Sequence, residues 1–330
     1  MTRRILVLAA LTAALAGCGK PAGSGEGSGT PSGGAAAAGR KPKLAFVTNG
    51  VSAFWTVAQK GLEQAKRDFD VDVVYKAPPN GKVEEQQQIL EDLLTLGVDG
   101  IAISAVDPEN MTPVLDKVAA KIPLICHDSD APKSKRRMYV GTNNVVAGRE
   151  AGKALVKAMN GRPGKLAVFV GFIDAANAQE RKKGIDEAIQ GSGITLVDVF
   201  TDGHDSAKAK AKVEDVVTAH PEVNCMIGLW SYNPPAIATV LRATGNAGKI
   251  TVVGFDDEAD TLQAVQDGVI AATIVQRQYE FGVQSMKYLK MIHEGKSDEH
   301  LKAGILDTGV DIITKENVAE FAKKMDALKK

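Results

Sequence analysis

The stretch Ile250-Thr251-Val252-Val253-Gly254-Phe255-Asp256-Asp257-Glu258-Ala259-Asp260 decides how the rest of the chain reads. Ile250 to Val253 are apolar or β-branched throughout, the composition of a short strand buried on both faces, as in a parallel sheet. Gly254 loosens the backbone, and Phe255, Asp256 and Asp257 follow where that strand emerges. Glu258 to Asp267 then reads as a helix with acids in its first turn, where the positive end of the helix dipole favours them. A carboxylate is thereby set at the carboxyl end of a buried strand. That is the strand-to-helix turn in which open α/β sheets hold their ligands.

The same alternation runs outward in both directions. From Lys43, strands at Leu44–Thr48, Val71–Tyr75, Gly100–Ser104, Ile122–Cys126 and Met138–Val140 are separated by amphipathic helices. A second series has strands at Leu166–Val170, Thr195–Phe200, Cys225–Leu229, Ile250–Val253 and Val269–Val275, followed by a long helix at Tyr279–His293 and a closing strand and helix. Strands spaced by helices mean βαβ units and mainly parallel sheets. About ten such units exceed one compact sheet, so two doubly wound lobes are expected. Gly161-Arg162-Pro163-Gly164, between the two series, argues against a single barrel.

The chain has 330 residues and a formal net charge of zero, with no basic block, which speaks against nucleic acid as a partner. Arg3 and Arg4 followed by the apolar Ile5–Ala16 form a targeting segment too short to span a bilayer. Leu15-Ala16-Gly17-Cys18 resembles the lipobox of bacterial lipoprotein signal peptides, which implies a cut before Cys18 and a lipid on its thiol. Gly19 to Arg40 is almost all Gly, Ser, Ala, Pro and Thr, a flexible tether of roughly 25 Å as a random coil. Cys126 and Cys225 lie in apolar strands, either as buried free thiols or, if close enough, as a disulfide.

Residues that follow the strands share one chemistry. Thr48, Asn49, Ser52, Phe54 and Trp55 come after the first strand, and His127, Asp128, Ser129 and Asp130 after the fourth. In the second series come Asp174 and Asn177, then Asp202, His204 and Asp205, then Trp230 to Asn233, then Asp256, Asp257 and Gln276. Carboxylates and amides bind adjacent hydroxyl pairs, and aromatic rings pack on a C–H face, so the mixture suits a neutral sugar or polyol. Few of these turns offer a cation for an amino acid or a phosphate, Arg181 being the nearest.

At this point the chain from about Lys43 to Lys330 resembles the type 1 periplasmic binding proteins, in particular the ribose-binding-like sugar receptors related to the lactose repressor core. The resemblance rests on Phe54-Trp55, Pro123-Leu124-Ile125 leading to Asp128, and Asn177-Ala178-Gln179-Glu180-Arg181 with Gly184. Thr218-Ala219-His220-Pro221, Val252-Val253-Gly254-Phe255-Asp256 and Ala271-Ala272-Thr273-Ile274-Val275-Gln276 complete it, in the same order and spacing. It implies two Rossmann-like α/β lobes joined by a three-strand hinge near Thr142–Asn144, Gln276 and Gly304–Asp307. The implied boundaries are a signal peptide at 1–17, a lipidated linker at 18–42, one lobe from 43–142 plus 277–304, and another from 143–276 plus 305–330. It implies ligand contacts from Thr48, Ser52, Phe54, Trp55, Asp128, Asn233, Asp256 and Gln276, with His204 where such receptors place an aromatic. Ser129 and Gln179 stand where many relatives carry arginines, which shifts weight to Asp130, Asn177, Arg181, Trp230 and Tyr232.

The function so implied is a monomeric, lipid-anchored extracytoplasmic receptor that passes a sugar to a permease driven by an ATPase, with no cofactor or metal. The alternatives are a receptor reporting to a membrane sensor or chemoreceptor, and a hydrolase using Asp128 and Asp256. Neighbouring strand residues point to opposite faces, so Cys126 and His127 cannot pair as nucleophile and base. No G-x-G-x-x-G follows a strand, no P-loop is present, and the five histidines lack zinc spacing.

Overall fold

The computed structural model describes residues 40–329; Cys18, the expected signal peptide and nearly all of the expected tether lie outside the described residues. In chain order the elements are β1 (Lys43–Val47), α1 (Phe54–Phe69), β2 (Asp72–Lys76), α2 (Val83–Thr95), β3 (Gly100–Ile103), α3 (Pro108–Ala119), β4 (Leu124–His127) and β5 (Tyr139–Gly141). They continue with α4 (Asn144–Met159), β6 (Gly164–Val170), α5 (Ala176–Ile189), β7 (Ile194–Thr201), α6 (Ser206–Ala219), β8 (Cys225–Gly228), α7 (Asn233–Ala243), β9 (Thr251–Phe255), α8 (Ala259–Gln266) and β10 (Ala272–Gln276). Then come α9 (Gln278–His293), α10 (Glu299–Ala303), β11 (Ile305–Asp307), β12 (Val310–Thr314) and α11 (Val318–Lys329).

Two six-stranded sheets result, ordered β11-β5-β4-β3-β1-β2 and β12-β10-β9-β8-β6-β7. The first is wholly parallel; in the second only β12 runs antiparallel, against β10. Each sheet is covered on both faces, which is why its strands are apolar without alternation. In β1, Leu44 and Phe46 join the core under α1 and α9, while Ala45 and Val47 join the core under α2 and α3. The second sheet has the same two-sided arrangement, with α4 and α5 on one face and α6, α7, α8 and α11 on the other.

One sequence-based boundary needs correction. β11 hydrogen-bonds in register to β5, Ile305 opposite Tyr139 and Asp307 opposite Gly141, so residues 305–307 belong to the first sheet. The third crossing between lobes therefore falls at Thr308 and Gly309, where Gly309 takes a left-handed φ of 72°. The three crossings are laced together. Thr308 N donates to the Gly141 carbonyl at 2.9 Å. Asp307 accepts from Asn143 N at 3.0 Å and Gly309 N at 2.9 Å. Arg277 spans Thr308 O and Asp311 at 3.2 and 2.8 Å.

Candidate functional site

In each lobe the strands' carboxyl ends point to a shared cleft, and equivalent positions carry a carboxylate. Asp128 directly follows β4 and Asp256 directly follows β9, and both sit at positive φ, 55° and 66°. Non-glycine residues seldom hold that conformation without a reason. Here it turns the chain out of its strand's line at each carboxylate.

Asp128 lies deep in the cleft with part of its surface open. Ser104 Oγ donates to its Oδ2 at 2.7 Å and Asn49 Nδ2 at 3.3 Å, while Tyr139 OH holds its carbonyl at 2.9 Å. Both side-chain donors use Oδ2, which leaves Oδ1 for a ligand. Burial pushes this carboxyl above the usual range, against the pull of Ser104 and the Arg181 charge. Asp256 is 3% exposed and accepts from Gln276 Nε2 at 3.1 Å. Its carboxyl is pushed up to about 6 by burial, with Arg181 and Gln276 opposing.

Arg181 is 2% exposed beneath this clamp. Its Nε donates to Asn144 Oδ1 at 2.9 Å and its Nη1 to the Leu229 carbonyl at 2.6 Å, and its guanidinium lies 4.4 Å over the Phe255 ring. A buried guanidinium needs such partners and an aromatic face to offset desolvation. The charges of Asp256 and Asp128 both act on it, opposing the effect of its burial.

Three expected contacts are almost wholly buried. Thr48 is fully buried, and its hydroxyl donates to the Gly50 carbonyl at 2.8 Å. Trp55 is 2% exposed and packs edge-on against Phe46 and His127, while the neighbouring Phe54 remains only partly buried. Asn233 is 1% exposed with both ends used, accepting from Trp230 N at 3.0 Å and donating to Asp202 at 3.0 Å. Asp130 is spent on an ion pair with Arg136. Ser52, Asn177, His204 and Trp230 stay at least partly exposed at the strand ends, and the Trp230 indole donates to Asn177 at 3.3 Å.

Other residues escaped sequence reasoning. Buried Gln86 ties the loops after β1 and β3 by donating to Thr48 O at 2.9 Å and Ser104 O at 2.8 Å and accepting from Val106 N at 3.0 Å. Ser104 stood at a strand end and was legible there; Gln86, inside a helix, gave no signal. Cys126 and Cys225 are free and buried, each thiol pushed up to about 12 by burial. A groove of about 1040 Å³ at the back of the hinge is lined by groups such as Arg277, Asp311, Tyr288 and Asp298. These bond one another there, Arg277 to Asp311 and Tyr288 to Asp298, so it does not compete as the site.

Residues 44–297 match the family described as "Periplasmic binding protein domain". The D-ribose/D-allose-binding protein of Pseudomonas aeruginosa is 24% identical over 83% of this chain and 89% of its own. The ribose import binding protein RbsB of Salmonella typhimurium is 27% identical over 74% and 81%. Among solved structures, GanP, a glucose-galactose binding protein from Geobacillus stearothermophilus, matches with TM-score 0.79 and 29% identity over 84% of this chain and 99% of its own. A solute-binding protein from Burkholderia graminis, solved with D-arabinose, matches with TM-score 0.77 and 33% identity over 84% and 96%.

Proposed function

Because the chain belongs to the periplasmic binding protein family, we propose that it is an extracytoplasmic receptor that holds a monosaccharide or related polyol between its lobes and delivers it to an ABC transporter permease. The family is one of binding proteins, and the chain is not an enzyme. Asp128 and Asp256 carry the reading: two carboxylates immediately after equivalent strands of the two sheets, both at positive φ, with the Arg181 charge acting on each. Each accepts from a pair of ligand hydroxyls, and Arg181, Gln276, Asn177 and Ser52 supply further donors. Phe54 faces the ring's C–H surface, and His204 and Trp230 stand farther out along the second lobe's strand ends. Ribose, allose and arabinose on the similar proteins are the same chemical class.

Closure follows from where these groups sit. A ligand bridging both carboxylates leaves either lobe's polar groups unpaired if the cleft opens, at about 1–3 kcal/mol per buried group. The first lobe comprises 43–142 plus 277–307 and the second 143–276 plus 308–330, hinged at the three crossings. Lipidation at Cys18 anchors the receptor at the membrane. None of the described helices is long and apolar enough to span a bilayer.

Thermal shift and tryptophan fluorescence against pentoses, hexoses, polyols and amino acids test the reading. Stabilisation by an amino acid but by no neutral polyol overturns it. Asp256→Ala is expected to weaken binding roughly a hundredfold or more while leaving the fold intact, since it removes hydrogen bonds to a charged acceptor. A second output is signalling through a partner protein such as a membrane sensor; a similar chain is solved in a complex with a second protein, XylFII–LytSN, at TM-score 0.75 and 25% identity. Co-purification with a permease, as against a sensor protein, separates the two.

A further inference from the structure

The second lobe carries more aromatic surface than one sugar ring covers. Phe172 after β6, His204 after β7, and Trp230 and Tyr232 after β8 form a single cluster at the outer end of the cleft. Ring centroids are 6.1 Å apart for Phe172–Trp230, 5.5 Å for His204–Trp230 and 5.2 Å for His204–Tyr232. Phe172 leaves 51% of its surface exposed, an apolar area of the kind that marks a binding surface when it is contiguous with others.

The cluster is held rigidly. Asp202, 4% exposed, accepts from the Tyr232 hydroxyl, from Asn233 Nδ2 at 3.0 Å and from His204 N at 2.9 Å, which fixes two loops at one buried carboxylate. Gly171 makes room beneath: a Cβ there would lie 2.2 Å from the Trp230 ring. A shelf this constrained has its orientation set before a ligand arrives, which lowers the entropy cost of stacking.

Its position relative to the clamp is set by strand order. Asp256 and Gln276 belong to β9 and β10 beside the hinge, and the shelf belongs to β8, β6 and β7 beyond them. With strands about 4.8 Å apart, the loops carrying Phe172 and His204 start roughly 10 and 14 Å from the one carrying Asp256. Across the cleft, Val51 in the loop after β1 is 73% exposed at the position matching Phe172. The shelf offers aromatic faces, which suit a neutral group with an apolar face.

Resting on the sugar-receptor reading, we infer that the preferred ligand is a glycoside whose first sugar ring occupies the Asp128–Asp256 clamp and whose second, neutral ring lies on the Phe172–His204–Trp230 shelf. The second ring is either another sugar or a flat aglycone such as a base, since both present an apolar face to aromatic side chains. Asp202 is a positioning residue for this shelf.

Calorimetry on the mature chain tests it with three probes: the best-bound monosaccharide, disaccharides containing it, and its nucleoside or aryl glycoside. An extended probe is expected to bind about tenfold tighter than the monosaccharide or better. Phe172→Ala with His204→Ala should bring that ratio toward one, with unchanged melting temperature. Which extended probe gains identifies the second ring. In the Trp55→Phe variant, Trp230 becomes the lone indole, and the extended probe should shift its emission more than the monosaccharide does. A monosaccharide that binds as tightly as every extended probe overturns the inference and leaves the receptor reading standing, as does an advantage that survives both alanines. No binding by any neutral sugar overturns both.

Discussion

At the scale of the residue, the two ends of β4 and β9 show how burial sets chemistry. Burial pushes the Asp256 carboxyl up to about 6, above its ordinary 3.8, because it disfavours the charged form. A raised acid makes the folded protein bind the proton more tightly, so this group's contribution to stability declines as pH rises from about 4 to about 6. Ligand hydroxyls donating to the carboxylate favour its ionised form and lower its pKa. Affinity is therefore expected to fall as pH drops through about 6, with proton release on binding; titration calorimetry between about pH 5 and pH 7.5 checks this, and a flat profile contradicts it. His127 behaves oppositely. It stacks at 3.9 Å on Phe46 and is held down to about 3 by burial, from an ordinary 6.5. Only the unfolded chain takes its proton, so stability is lost as pH falls below about 6.5. His127→Phe keeps the stack and should halve or better the drop in melting temperature between neutral pH and about pH 5. The clamp carboxylates were legible because each stands directly after an apolar run. Thr48, Trp55 and Asn233 stood at strand ends too, but which way a side chain turns there depends on neighbours far away in sequence, such as Gln86 and Asp202.

At the scale of the element, strands buried on both faces announce themselves as unbroken apolar runs, and nearly every one was legible. Their ends were not. Val269 and Ile270 extend the apolar run before β10, yet their amides bond the Ala264 carbonyl at 2.9 and 3.1 Å, wrapping the end of α8 through Gly268 at φ 78°. Hydrogen bonds to a helix terminus outweigh β-propensity there. Helix pairs pack through glycine at matching places in the two lobes. A Cβ on Gly184 of α5 would lie 2.0 Å from the Val145 carbonyl of α4, and one on Gly61 of α1 would lie 2.1 Å from the Tyr279 carbonyl at α9. Gly184→Ala must push the helices apart and is expected to cost about 1–3 kcal/mol, seen as a lower melting temperature. Because α5 carries Arg181 and α4 carries Asn144, the same variant should also weaken ligand binding; an unchanged melting temperature would refute the packing argument.

At the scale of the whole molecule, both lobes repeat one plan, and each borrows a helix that arrives across the hinge: α9 on α1 in the first, α4 on α5 in the second. The hinge is stiffened by Asp307 and Arg277. Asp307→Ala, far from the clamp, is expected to enlarge the unliganded protein in small-angle scattering and to weaken ligand binding by up to about tenfold, because the closed state loses population. The same size and affinity as the parent would rule out that role. The α/β class, the two series of strands and the carboxylate at the head of the second lobe's turn can be read from the chain alone, because apolar runs and the residues that end them are local properties. That residues 305–307 join the first sheet, that Asp128 and Asp256 follow equivalent strands of the two sheets, and that four aromatic rings from three loops make one surface emerges only from the folded molecule. Those are pairings between segments tens to hundreds of residues apart, and their energies depend on distance in space, which no local pattern encodes.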